Sequence, residues 1–231
     1  MVFYDYILYF FIYSFTGWIL ETMYASYLEG KLVNRGFLKT PFCPIYGFGS
    51  LVIIQIFNLI NGFHLEKMTY FVIGAILSIL VATVFEYVTG YILEKAFHVR
   101  WWDYSDEALN INGHICFKYS LLWGLGAFAI VMVMQPMLAL NSNILSDSLK
   151  EFMSIVLIVT LLSDTAKSTD ELIDFKKVLE TYELQSLDYY PEKIIDYKRF
   201  FFTFPYPISI NNGIRNYDTG RILNEKIRSR Y

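Results

Sequence analysis

Five apolar stretches, each close to the roughly 20 helical residues that a hydrocarbon core about 30 Å thick demands, decide what this chain can fold into. They lie at Val2–Tyr27, Ile45–Phe63, Thr69–Leu93, Ile115–Leu140 and Leu149–Asp164. The last, LKEFMSIVLIVTLLSD, has an apolar core of only about twelve residues, which also suits an interfacial or re-entrant helix. In lipid every backbone polar group must be satisfied within its own segment, so single stretches of this length are helices. Composition agrees, with 55% hydrophobic and 18% charged residues in 231 and a mean hydropathy of +0.38. The expected fold is an all-α integral membrane protein of about five transmembrane helices. The opening MVFYDYILYFFIYSF lacks a basic region ahead of its apolar run and reads as the first of these helices rather than a secretory leader.

Lysine and arginine set the orientation. Lys31, Arg35 and Lys39 occupy the first connection, Lys67 the second, Lys95, Arg100 and Lys118 the third or its edges, and Lys150 the fourth, with eleven more after residue 164. That alternation predicts an N-out, C-in protein of the cell membrane whose first and third connections face the cytoplasm. The two cysteines, Cys43 and Cys116, adjoin those connections, so reduced thiols are expected.

The costly residues repeat. Glu21, Glu29 and Arg35 are spaced by 8 and 6, and Glu86, Glu94 and Arg100 repeat that spacing 65 residues later. CPIYGFG after Arg35 has a looser counterpart in CFKYSLLWGLG after Arg100. This pattern predicts a duplicated helical hairpin, the two copies related by an axis along the membrane normal. The first copy covers about 1–64 and the second about 67–140, with an extra helix at 149–166 completing a transmembrane domain of residues 1–166. Counted from Phe3 and Met68, Glu21 and Glu86 each lie 18 residues into the first and third helices. At 1.5 Å per residue that is about 27 Å, the inner edge of the hydrocarbon. Carboxylates there must pair or stay protonated, and the nearest guanidiniums are Arg35 and Arg100, returned by loops rich in glycine and proline. Paired Glu–Arg clusters are therefore expected to line a polar cavity at the cytoplasmic face, formed by Glu21, Glu29, Arg35, Glu86, Glu94, Arg100, Asp103 and Asn112.

Other readings are weaker. His98, His114, Cys43 and Cys116 gather near one edge without a dense ligand spacing, and no third group orients a Cys/His nucleophile, so no metal, cofactor or catalytic residue is expected. The loop HVRWWDYSDEALNINGHIC suits an ordered aromatic belt, in which Asp103 and Asn112-Gly113 cap and turn a short element. Residues 167–231 read as a cytoplasmic region comprising an amphipathic helix at Thr169–Leu187 and an aromatic tail, KRFFFTFPYP, suited to headgroups. Nothing matches a nucleic-acid site or the phosphate-binding GxxxxGK[ST] loop, so ATP-driven work needs a separate polypeptide.

Gly17-Trp18, Glu21, NRGFLKTPFCPIYGFG, Glu86-Tyr87, Gly90, Glu94, RWWDYS, Asn112-Gly113, Cys116 and Trp123-Gly124 together resemble the CmpB-like, type IV ABC-transporter family over about residues 10–130. The family comprises small bacterial multi-pass membrane proteins classed as permease components, and carries no assigned catalytic or binding residues. Lys39-Thr40 departs from it where a small residue is expected before Pro41. The resemblance implies a permease component in a bacterial inner membrane, partnered by the lipid bilayer, a separate ATPase and further copies of itself. Two other functions fit the same polar residues: an enzyme acting on a lipid or prenyl substrate at the inner leaflet, with the arginines holding phosphate, and an assembly protein whose ion pairs only fix helix register.

Overall fold

A computed structural model describes residues 3–97, 99–141 and 144–183 and the strand segments 206–207, 209–211 and 214–216; at 28–29, 99, 178–183 and in the last three segments only the backbone is described. The described residues form five helices: α1 (Phe3–Glu29), α2 (Pro44–Asn61), α3 (Lys67–Phe97), α4 (Phe117–Leu140) and α5 (Asp147–Glu183). Two-residue strands β1 (Val99–Arg100), β2 (Asn110–Ile111) and β3 (Ile115–Cys116) lie in the third connection, and β4 (Tyr206–Pro207), β5 (Ser209–Asn211) and β6 (Ile214–Asn216) follow. β1 pairs with β4, β2 with β3 and β5 with β6, all antiparallel.

Local sequence explains the boundaries. α1 stops before Gly30, whose φ of +64° suits the left-handed turn that ends a helix. Proline opens α2 at Pro44, where its missing N–H costs nothing, and extended Cys43 precedes it. Between β2 and β3, Asn112 and Gly113 both have positive φ, 55° and 72°, in a three-residue loop in which the His114 N–H donates to the Ile111 carbonyl at 3.0 Å.

In α3 and α5 the packing is inverted relative to a soluble protein. In α3 the buried residues are Gly74, Ser78, Glu86, Gly90, Leu93 and Glu94, whereas Val72, Ile76, Leu80, Val84, Val88 and Ile92 are exposed. α5 likewise buries Ser154, Asp164 and Ser168 while exposing Phe152, Val159 and Leu162. Apolar surface on this scale is stable only in lipid. By length and composition α2, α3 and α4 suffice to cross a membrane. α1, with its Tyr, Ser, Thr, Trp and Glu residues, and α5 are more polar.

α1 packs on α2 and α3 on α4, and α2 joins the two hairpins. Glycine sets both crossings: a Cβ on Gly47 would meet Ser14 Oγ at 2.3 Å, and one on Gly124 would meet Ile79 Cα at 2.4 Å. Tyr9, Tyr13, Ile53, Ile54, Phe57, Ile60 and Val131 form a core between them.

α5 differs from expectation. The short fifth span and the surface helix expected from Thr169 are one continuous helix of 37 residues, so the boundary at 166–167 falls inside it. Its length is about 55 Å, well beyond a hydrocarbon core of about 30 Å. Polar contacts at three points along it bind α5 to the first hairpin. Lys150 Nζ lies 2.8 Å from Asp5 Oδ1, both side chains nearly inaccessible. Asp164 accepts the Thr40 backbone N–H at 2.8 Å, and Lys39 pairs with Glu171. The unusual Lys39-Thr40 is thus the point where the first connection grips α5. Of the periodic residues expected in the surface helix, Leu172 and Phe175 are fully buried; the side chains of Val178, Leu179 and Tyr182 lie outside the described residues, as does the aromatic tail apart from the backbone of Tyr206 and Pro207.

Removing one member of a buried ion pair strands the other. Lys150→Met is expected to cost about 3–5 kcal/mol and the double change Asp5→Asn/Lys150→Met to restore most of it, measured as the unfolding midpoint in detergent. Equal losses in the single and double variants would show that the pair does not hold α5 to α1.

Candidate functional site

Both connections between paired helices, 30–43 and 99–116, lie at the same end of the bundle, and beneath them a cavity of about 530 Å³ opens between the hairpins. Glu21 and Tyr24 of α1, Tyr46 and Ser50 of α2, Phe85 and Glu86 of α3, and Tyr119 and Trp123 of α4 form its walls. Arg35, Cys43, Trp101, Trp102, Asp103, Tyr104, Asp106 and Glu107 close it from the connections.

Glu21 and Glu86 face this space, but their hydrogen-bond partners are not the expected arginines. Tyr46 Oη donates to Glu21 Oε1 at 2.6 Å, and Tyr104 Oη donates to Glu86 Oε1 at 3.0 Å. A buried tyrosine needs a partner for its hydroxyl, and each acid supplies one. Tyr46 leans on Gly17, where a Cβ would overlap its ring. Tyr104 stacks on Tyr119 at 4.6 Å between centroids and lies 3.4 Å from the Trp123 indole nitrogen. Burial, and then the Glu86 charge, pushes the Tyr104 hydroxyl above its ordinary value, so it remains a donor. Glu86 is 7% exposed and its Oε2 has no hydrogen bond among the described residues.

The arginines serve the connections instead. Arg35 donates from Nη2 to the Trp101 carbonyl at 3.1 Å, tying the first connection to the third, and its buried Nε has no hydrogen bond among the described residues. Arg100, 3% exposed, donates from Nε to Glu94 Oε2 at 2.8 Å, from Nη1 to Asp103 Oδ1 at 2.9 Å and from Nη2 to the Asn112 carbonyl at 3.2 Å. His114 Nε2 lies 3.4 Å from the same Glu94 oxygen, and its carbonyl accepts the Trp102 indole N–H at 2.6 Å. Around one guanidinium, therefore, α3, the β2–β3 turn and the aromatic run fold into a rigid cap. A Cβ on Gly113 would fall 2.6 Å from Arg100 Nη1.

The expected site residues thus separate into two groups. Glu21, Arg35, Glu86 and Asp103 share the cavity wall; Glu94, Arg100 and Asn112 form the cap behind it with Asp103; Glu29 closes α1, with its side chain outside the described residues. Tyr46, Tyr104 and Trp123 were not foreseen as site residues, although Tyr46 stands inside CPIYGFG, Tyr104 inside RWWDYS, and Trp123 among the residues that carry the family resemblance. Cys43 and Cys116 are both free and buried, and burial, with Glu21 nearby, pushes the Cys43 thiol up, away from a nucleophilic thiolate. Among the described residues no group of three His, Cys, Asp or Glu side chains is placed to hold a metal ion.

Three helices long and apolar enough to cross a bilayer, with broad exposed apolar faces around a charged cavity, define a multi-pass membrane protein. The chain belongs to the family described as "Putative ABC-transporter type IV", whose model matches residues 8–169 and so includes both hairpins and the first part of α5. It is an ABC-transporter-related membrane protein. No curated protein and no solved structure matches it.

Proposed function

We propose that the chain is the permease subunit of a transport complex driven by a separate ATPase, and that the cavity between its hairpins is the substrate site. The carrying observation is the placement of Glu21 and Glu86 on opposite hairpins around one 530 Å³ space. Membrane carboxylates kept at such a cost mark substrate or ion paths. A duplicated hairpin accounts for the arrangement: Ser14 and Ile79, the residues under Gly47 and Gly124, are 65 apart, as are Glu21 and Glu86. All five helices would span, N-out and C-in, in the bacterial inner membrane, and the end of α5 beyond the lipid would project toward the ATPase. Enzymatic action on a phosphorylated lipid draws less support, because Arg100 already binds Glu94 and Asp103.

Mild-detergent purification of the tagged protein from its host, with quantitative mass spectrometry, tests this reading. A nucleotide-hydrolysing subunit in fixed ratio to the chain is expected. Recovery of the chain alone, under conditions that keep other transport complexes whole, would overturn it.

A further inference from the structure

The charge and surface of the cavity define the chemistry of what it holds. Among its wall residues, Asp103 is matched by Arg100 and Glu107 by Lys118 at 3.0 Å, leaving Glu21, Glu86 and Asp106 opposite the guanidinium of Arg35. With these groups ionised the space carries excess negative charge. Glu86 is more than nine-tenths buried, and the oxygen not bonded to Tyr104 is without a hydrogen bond among the described residues. Trp101, Trp102, Trp123, Tyr46, Tyr104 and Tyr119 line the same cavity, Tyr104 in direct contact with this acid. Aromatic faces attract ammonium groups within about 6 Å, and rings combined with carboxylates favour organic cations over anions or neutral solutes. A volume of 530 Å³ accepts a small organic molecule.

We infer that the cavity binds a small organic cation, a protonated or quaternary amine, with Glu86 as its counter-ion and the tryptophans as its walls. The inference deepens the permease reading by naming a ligand class, and rests on it only for the purpose of binding. Two sources carry this chemistry, a free amine and the ammonium of a lipid headgroup.

The test is calorimetric titration of the full chain in nanodiscs of phosphatidylglycerol with benzyltrimethylammonium, its uncharged carbon isostere neopentylbenzene, and benzylphosphonate. Saturable one-to-one binding of the cation, about tenfold or more tighter than the isostere, is expected for the unaltered protein, which makes the comparison independent of any variant. Glu86→Gln should weaken the cation by about tenfold, and Arg35→Gln should tighten it. Competition by dihexanoylphosphatidylcholine would assign the ammonium to a lipid headgroup, and its absence to a free solute. Equal binding of cation and isostere, or preference for benzylphosphonate, would overturn the inference while leaving the permease reading intact; that reading stands or falls on the co-purifying ATPase.

Discussion

Replacing Arg100 by methionine is expected to destabilise the protein by about 3–5 kcal/mol, because it leaves Glu94 and Asp103 without their shared cation in a buried site. Four donor contacts would go together, to Glu94, Asp103, Ser105 and the Asn112 carbonyl, and with them the attachment of the third connection to α3. Arg100→Lys should recover only part of the loss, since an ammonium cannot span two carboxylates and a carbonyl as a planar guanidinium does. Cys43 and Cys116, each 1% exposed, supply the readout: a thiol-reactive dye reports their exposure as the detergent-solubilised protein is heated. The transition should fall sharply for methionine and less for lysine. An unchanged transition in Arg100→Met would show that the cap is held by its hairpin and aromatic contacts alone.

The bounds of the first four helices were legible in the sequence, because an apolar run of this length closes its backbone hydrogen bonds as a helix without reference to neighbours. α1 through α4 accordingly begin and end close to the apolar runs. α5 was divided too early: Lys167, Asp170 and Glu171 end an apolar run but not a helix, and Lys39 and Thr40 reward its continuation. Glu21, Arg35, Glu86 and Asp103 line one cavity, but spacing along the chain did not disclose their bonds. The path of a loop is decided by tertiary contacts, so the choice of Tyr46 and Tyr104 over the arginines had no signature along the chain. Asp5 and Lys150 illustrate the same limit, being 145 residues apart and joined only by the fold.

Glu21 and Glu86 are expected to be dispensable for folding and indispensable for function. Each accepts a tyrosine hydroxyl that a glutamine oxygen can also accept, so Glu21→Gln and Glu86→Gln preserve the local hydrogen bond and volume while removing the charge that a cation or proton would meet. Neither acid takes part in the Arg100 cluster or the α5 contacts, and the dye transition should move little in either variant. The decisive measurement is the small-solute content, by untargeted mass spectrometry, of host cells lacking the chain and complemented with the unaltered protein, Glu21→Gln or Glu86→Gln at equal membrane abundance. The unaltered protein should restore the pool that its loss disturbs, and neither variant should. Full restoration by both would contradict a working role for the cavity between the hairpins.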